Sequence, residues 1–329
     1  MISIKRHKRF LWCQGGKIMF VKLLEFIHQV LSGLTTHPGV HWGKMEMMKP
    51  YSGWYGYIQN MFSNLGWGTI FLIVASALLW TAVYLVIIYR LHKDHAPSMP
   101  WVCLCMNFSW EFQFAFLVPY PEPITRWGIY LWVVFDAVMF ILDYKYGKMF
   151  FAKRFPGYDW AYPWIKFGMF AILFVTILMM NPQWPILPDS PMFAAYLMNA
   201  IMSILFCQHM FHKETVEGLS IWVAWCKFLG TLAPTCIGLY WMPGQYFVYC
   251  LAAICAVFDI CYITLLTIRF RQFGLNPYTH KPIKGREAEA EKTYLALEDY
   301  KRRSNEFKLK TFKECKVFLA EQANEKLNK

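Results

Sequence analysis

Charged residues are scarce in this chain, and their scarcity excludes an ordinary soluble protein. Asp, Glu, Lys and Arg together make up 16% of the 329 residues, whereas a soluble domain carries about a quarter. Hydrophobic residues reach 57%, and they are concentrated in long runs rather than scattered. Runs of about 20 apolar residues can cross a bilayer as helices. The sequence therefore predicts an all-α polytopic membrane protein.

Several motifs of soluble enzymes and metal sites are also absent. The chain has no Asp-Asp-x-x-Asp run for magnesium and diphosphate, no Gly-x-Ser-x-Gly elbow and no phosphate-cradling loop. It has no Cys-x-x-Cys pair, and eight of its ten cysteines lie in apolar segments, where we expect small buried residues. His209 and His212 have a metal-ligand spacing without a third ligand nearby. We therefore predict neither a metal nor another cofactor.

The net charge of +12 comes from Lys and Arg in loops and tails beside the apolar segments. This placement indicates membrane topology and attraction to anionic lipid headgroups, so we predict a lipid bilayer, and no nucleic acid, as partner. Basic residues collect in the loops after the first, third, fifth and seventh apolar segments. By the positive-inside rule the C-terminus is cytosolic, and in a eukaryotic cell we expect the endoplasmic reticulum membrane.

Seven segments have the length of a membrane-spanning helix, and they divide the chain into three parts. They lie near residues 66–89, 98–119, 127–144, 161–180, 191–211, 219–240 and 246–268. Residues 66–270 are predicted to form a seven-transmembrane-helix bundle. Residues 1–65 form an N-terminal extension, in which residues 17–34 can be written as an amphipathic interfacial helix. Residues 271–329 form a charged cytosolic tail, expected to be helical and either solvated or lying along the membrane.

Three acids lie inside these apolar segments: Glu111 in the second, Asp136 in the third and Asp259 in the seventh. A carboxylate inside a bilayer is costly and usually faces a cavity or a partner, so each is a candidate functional residue. Asp136 could equally serve only a helix contact. At a rise of about 1.5 Å per residue, all three could lie in one layer near mid-membrane. Neighbouring buried carboxyls can keep one acid protonated and another ionised, which assigns acid and base roles.

Polar and aromatic residues near these acids are candidate substrate contacts. Asn107 and Gln113 carry amides that could orient Glu111. An aromatic face stabilises a cation in a dry pocket, although aromatic residues are also ordinary components of membrane cores and interface belts. The aromatic candidates are Trp110, Trp132, Trp225 and Tyr262.

A set of short motifs stands in a recognisable order. They are Asn107-x-x-Trp110-Glu111-Phe112, Trp132-x-x-x-Asp136, Asn199-x-x-x-Ser203, Gly230-Thr231 and a lone Asp259. In this order the chain resembles the fungal seven-helix membrane terpene cyclases of meroterpenoid and indole-diterpene pathways, the paspaline type among them, over about residues 66–270. It departs from them in its long terminal extensions and in Lys227, where the resemblance leads us to expect Arg.

The resemblance implies an enzyme whose catalytic acids are Glu111 and Asp259. They would protonate the terminal epoxide, or an alkene, of a prenyl chain, and the resulting cation would cyclise without metal or diphosphate loss. The substrate would be a lipophilic epoxyprenyl chain on an aromatic or indole group, made by an upstream prenyltransferase and an epoxidase. The alternative is a seven-helix transporter or receptor, in which the same acids would bind a cation, a proton or a ligand.

Overall fold

The computed structural model describes residues 53–117, 123–183, 190–241 and 246–309. The predicted interfacial helix at residues 17–34 lies outside the described residues. Within them, all seven predicted segments are helical, and an eighth helix follows the bundle. This confirms the prediction of an all-α polytopic fold, since apolar runs satisfy their backbone hydrogen bonds internally only as helices or closed barrels.

The helices in the described ranges follow one another with short connections. They are α1 (Gly53–Asp94), α2 (Trp101–Phe112, continued by a π-helical segment Gln113–Leu117), α3 (Pro123–Arg154), α4 (Tyr162–Gln183), α5 (Ser190–Phe211), α6 (Ile221–Trp241), α7 (Tyr246–Gln272) and α8 (Glu287–Leu309). Gly66 breaks α1 with a φ of 71°, a backbone conformation that glycine adopts readily. The apolar part of α1 begins at this break.

Five helices in the described part of the chain are long and apolar enough to cross a membrane. They are Gly66–Asp94, Arg126–Arg154, Met192–Phe211, Ile221–Leu239 and Tyr246–Gln272. The predicted second segment is a shorter helix, Trp101–Phe112 with its π-helical continuation, and the apolar part of α4 is limited to Tyr162–Leu178. Because α2 packs against α3, α4 and α5, it is enclosed by protein and is the interior helix of the bundle.

The polarity of the bundle is that of a protein in lipid. Large apolar side chains point outward along the spans, and examples are Phe71, Leu78, Val134, Ile141 and Val257. Many charged and amide side chains of the spans are buried between helices instead. An apolar surface of this extent is stable against lipid and unstable in water.

One end of the bundle, here called the basic end, gathers the connections that follow α1, α3, α5 and α7. The loop 212–220 after α5 accepts hydrogen bonds from Arg90 of α1 and Arg269 of α7, and Lys153 of α3 pairs with a side chain of this loop. The basic residues that the sequence places in alternate loops therefore lie together.

The segment 273–306 docks on the basic end, so it is partly buried rather than wholly solvated. Arg303 Nη2 donates to Glu214 Oε2 of the 212–220 loop at 3.1 Å, and Ser304 Oγ donates to the carbonyl of His95 at 3.0 Å. Arg90 Nη1 lies 3.3 Å from His280 Nδ1. Burial, followed by the nearby charge of Arg90, lowers the pKa of the His280 imidazole to about 3.

Candidate active site

Four polar side chains from α1, α2 and α3 meet in the bundle. Asn107 and Glu111 share one face of α2 because they are four residues apart, and Tyr84 of α1 and Asp136 of α3 face them; all four are buried. Asn107 Nδ2 lies 2.6 Å from Tyr84 Oη, 3.1 Å from Glu111 Oε1 and 3.0 Å from Asp136 Oδ2. The Tyr84 hydroxyl also donates to Glu111 Oε1. We call these four residues the Glu111 cluster.

The Glu111 cluster holds two carboxyls side by side, because both lie within 3.1 Å of a single amide nitrogen. Among the described residues, no Lys or Arg forms an ion pair with either carboxyl. Glu111 Oε2 and Asp136 Oδ1 receive no hydrogen bond from an amide, hydroxyl or cationic donor in this part of the chain. Two unpaired negative charges in a buried site are far costlier than one. The arrangement therefore favours one proton retained between the two carboxyls.

Asp259 lies in a second polar cluster, where its partner is a lysine. Lys227 Nζ lies 2.7 Å from Asp259 Oδ1 and donates to Ser203 Oγ at 2.5 Å. Ser203 Oγ donates to the carbonyl of Asn199 at 2.8 Å, and Asn199 Nδ2 donates to Thr231 Oγ1 at 2.6 Å. Asp259 Oδ2 has no hydrogen-bond partner within the described residues. We call this set, which joins α5, α6 and α7, the Lys227 cluster.

The three intramembrane acids are thus divided between two clusters. Glu111 and Asp136 lie close together, as the predicted mid-membrane layer requires. Asp259 pairs with Lys227 instead. No hydrogen bond or ion pair among the described side chains joins Asp259 to Glu111. Asp259 needs no contact with Glu111, because Lys227 neutralises the charge of Asp259 locally.

Hydrogen bonds fix the positions of two further candidates, Trp132 and Gln113. Trp132 belongs to the Glu111 cluster's surroundings, since its ring stacks on Tyr84 at 6.1 Å and its Nε1 donates to Thr81 Oγ1 at 3.1 Å. Gln113 Nε2 donates instead to the carbonyl of Phe174 at 2.7 Å. Gln113 therefore ties α2 to α4, and Asn107 is the amide that contacts Glu111.

The remaining aromatic candidates each contact another aromatic side chain. Trp110 packs on the ring of Phe114, with centroids 4.7 Å apart, and Tyr262 packs on Phe206 at 5.3 Å; Trp110 and Tyr262 are both buried. Trp225 Nε1 donates to the hydroxyl of Tyr278 at 3.3 Å. Trp225 therefore contacts the loop that follows α7.

A third buried charge cluster links α3 and α4 and was not predicted. Lys166 Nζ lies 2.7 Å from Asp143 Oδ2 and 4.2 Å from the centre of the Phe140 ring. The Tyr162 hydroxyl donates to the same Asp143 oxygen at 2.9 Å. Lysines inside apolar segments were the available signal, because an intramembrane cation needs a named partner. Within the described residues, no group of three His, Cys, Asp or Glu side chains is arranged to hold a metal ion.

Comparison with known proteins gives this arrangement a family. Residues 59–272 match the Pyr4-like transmembrane terpene cyclases. The Pyr4-family terpene cyclase mfmH of Annulohypoxylon moriforme is 24% identical over 216 residues, which cover 65% of this chain and 88% of that protein. No solved structure gives a significant match.

Two shorter matches are also to fungal terpene cyclases. Terpene cyclase dpmpB of Macrophomina phaseolina is 30% identical over 83 residues, or 25% of this chain and 30% of that protein. Terpene cyclase macJ of Penicillium terrestre is 22% identical over 162 residues, or 49% of this chain and 62% of that protein. The family match spans more than half of this chain and includes both carboxyl clusters. The chain belongs to the Pyr4-like transmembrane terpene cyclases.

Proposed function

We propose that this membrane terpene cyclase starts cyclisation by protonating the terminal epoxide, or an alkene, of a prenylated aromatic or indole substrate at the Glu111 cluster. The observation that carries the proposal is the pair of buried carboxyls on one amide donor, with no cation paired to them among the described residues. Such a pair retains a proton in an apolar site, which is the condition for a carboxylic acid to act as general acid at neutral pH.

Glu111 is the proton donor in this proposal. Its Oε1 accepts hydrogen bonds from Tyr84 and Asn107, which stabilise the carboxylate that remains after the proton has left. Its Oε2 receives no hydrogen bond from a donor among the described side chains, so it is the oxygen that carries the proton shared with Asp136 and passes it to the substrate. Asp136 holds the negative charge of the pair and keeps the neighbouring acid protonated until substrate arrives.

The proton moves from Glu111 to the epoxide oxygen, and the carbon–oxygen bond to the more substituted carbon breaks. The epoxide oxygen becomes a hydroxyl, and the π electrons of the next alkene form a carbon–carbon bond to the electron-deficient carbon. Loss of a proton from carbon ends the sequence, so the product is an isomer of the substrate. Aromatic rings beside the acids, such as Trp132 and Phe135 against Tyr84, can stabilise the moving positive charge.

The membrane setting supports a lipophilic substrate that enters from the bilayer. An epoxyprenyl chain of farnesyl or geranylgeranyl length is compatible with an apolar exterior and a buried acid. Its synthesis requires a prenyl transfer and an epoxidation beforehand. The proposal also places the basic end, with the docked segment 273–306, on the cytosolic side of the endoplasmic reticulum membrane. No observation favours the transporter or receptor alternative.

Glu111→Gln is the direct test. The variant keeps the size and the hydrogen bonds of the side chain but has no acidic proton, so cyclisation should fall by about 10²–10⁴-fold. Microsomes containing each variant would be supplied with an epoxyprenyl aromatic substrate, and both substrate consumption and products of equal mass would be followed. Glu298→Gln, the same change at an exposed position on α8, is the matched control. Consumption by Glu111→Gln at the wild-type rate would exclude Glu111 as proton donor.

A further inference from the structure

Lys227 is an unusual residue for its position, because it is a fully buried cation in the middle of an apolar helix. Its side chain is 1% exposed, and that of its partner Asp259 is 2% exposed. The lysine is held on a second side by Ser203 Oγ, which is itself anchored to the carbonyl of Asn199. The ammonium group is therefore fixed in place against one oxygen of Asp259.

We propose that Lys227 is a positioning residue that keeps Asp259 ionised and turns it into the base that ends cyclisation. This inference rests on the proposed function, in which the first proton comes from Glu111. The Lys227–Asp259 pair occupies Asp259 Oδ1 and leaves Oδ2 without a hydrogen-bond partner among the described residues. Asp259 Oδ2 is the oxygen that accepts the final proton.

Electrostatic attraction to the buried Lys227 ammonium keeps Asp259 ionised. Protonating Asp259 would leave the Lys227 ammonium buried without a counter-charge, which is one of the costliest changes in a protein interior. Asp259 is therefore a poor source of the first proton. The pair is neutral as a whole, but its unpaired hydrogen-bond acceptor, Asp259 Oδ2, belongs to the carboxylate, so a substrate cation is attracted to the Asp259 side.

The Lys166–Asp143 pair differs from the Lys227–Asp259 pair in the hydrogen bonds that its carboxylate accepts. Lys166 also pairs with an acid, but there the Tyr162 hydroxyl donates to the same Asp143 oxygen, and neither oxygen of Asp143 is left as a buried atom without a partner. In the Lys227 cluster the second carboxylate oxygen is buried and has no hydrogen-bond partner among the described residues, so it still has a lone pair that can accept a proton.

The terminating step balances in atoms and electrons. A carbon–hydrogen bond next to the cationic carbon breaks, its electron pair becomes the new carbon–carbon double bond, and the proton goes to Asp259 Oδ2. The charge of Lys227 then favours release of that proton. Between turnovers Asp259 loses one proton to water and Glu111 gains one from water, so the net reaction is an isomerisation.

The test compares Lys227→Met and Lys227→Arg in microsomes supplied with the epoxyprenyl aromatic substrate, with membrane-inserted protein quantified for each. Arg preserves the ion pair and should preserve the main product. In Lys227→Met the acid is no longer held as a carboxylate, so substrate should still be consumed while the share of the main product falls about tenfold or more, in favour of partly cyclised products and isomeric alkenes. This estimate follows from general acid–base catalysis, which contributes about 10²–10⁴-fold to the rate of a proton-transfer step.

Lys227→Met leaves a buried acid without its partner and can fail to insert, so Lys227→Met/Asp259→Asn is the second variant. Both charges are gone in this protein, which removes the cost of an unpaired charge. It should insert, consume substrate and give the same altered products as Asp259→Asn. Wild-type product ratios from the double variant, or loss of substrate consumption in the inserted double variant, would overturn the inference. Glu111→Gln reports separately on the proposed function, because its prediction is loss of consumption rather than a change of products.

Discussion

The Glu111 cluster and the Lys227 cluster both bury carboxyl groups between helices, yet only one of them contains a cation. Glu111 and Asp136 have hydroxyl and amide partners, whereas Asp259 has an ammonium group at 2.7 Å. Burial is similar in the two clusters, so burial alone does not decide what an intramembrane acid does. The partner decides it, because a neighbouring carboxyl retains a proton and a neighbouring ammonium expels one.

The Lys166–Asp143 pair extends this comparison to a charge pair with a structural role. It has the same ammonium–carboxylate distance as the Lys227–Asp259 pair. Removing one partner of a buried ion pair costs about 3–5 kcal/mol, whereas replacing both is often neutral. We therefore expect Lys166→Met to lower the melting temperature or the amount of inserted protein strongly.

The double variant Lys166→Met/Asp143→Asn tests whether this pair acts only through stability. It should recover both inserted protein and cyclisation per molecule, because neither of its side chains takes part in the reaction. Thermal melting in detergent and product formation would be measured on the same preparations. A double variant that is stable but makes altered products would show that this pair takes part in the reaction.

Asp136→Asn is expected to have the next largest effect and tests the shared proton. The amide keeps the contact with Asn107 but carries no charge, so Glu111 loses the neighbour that retains its proton. Substrate consumption should fall by about 10²-fold, at the lower end of a general-acid contribution. The products that do form should keep wild-type ratios, in contrast with the Lys227 variants. Altered products at an unchanged rate of consumption would contradict the assignment of Asp136 to the initiating cluster.

A pH titration tests the docking of segment 273–306 on the basic end. The pKa of His280 in the docked state is about 3, below the ordinary 6.5. The undocked segment therefore binds a proton more readily, and docking is fully stable above pH 6.5 and weakens as the pH falls toward 3. Each unit in this window costs about 1.4 kcal/mol. Hydrogen-exchange protection factors in residues 273–306, which correct for the intrinsic pH dependence of amide exchange, should fall between pH 6.5 and 5.

His280→Asn is the control for this titration. Asn removes the titrating group, and it tolerates the left-handed backbone at this position, where φ is 58°. Protection factors in the variant should stay constant over the same pH range. The same fall in His280→Asn would assign the pH dependence to another group.

Tyr84→Phe should have the smallest effect. The variant removes one hydrogen bond to Glu111 and leaves the stacking with Trp132. A hydrogen bond contributes about 1 kcal/mol, which corresponds to about a fivefold lower rate of consumption. Tyr89→Phe, on the same helix but 57% exposed, should leave the rate unchanged. Equal rates for wild type and Tyr84→Phe would show that Tyr84 does not stabilise the Glu111 carboxylate.

The sequence was a good guide to helices and a partial guide to the site. Long apolar runs predicted the positions of the helices because their backbone must be helical in lipid. The four-residue spacing placed Asn107 and Glu111 on one face of α2, which the hydrogen bond between them confirms. Spacing along a helix carries no information about the neighbouring helix, so it did not reveal that Tyr84 contacts Glu111 or that the Gln113 amide donates to α4.

The sequence alone identifies a set of costly groups that must each find a partner inside an apolar bundle. Glu111, Asp136, Asp259 and Lys227 are all visible in it as polar residues in apolar runs. Only the tertiary structure decided which of them meet, because α2 and α3 bring two acids together and α6 and α7 bring a lysine to the third. The physical reason is that the energy of a buried charge depends on its neighbours within a few ångströms, and helix packing alone chooses those neighbours.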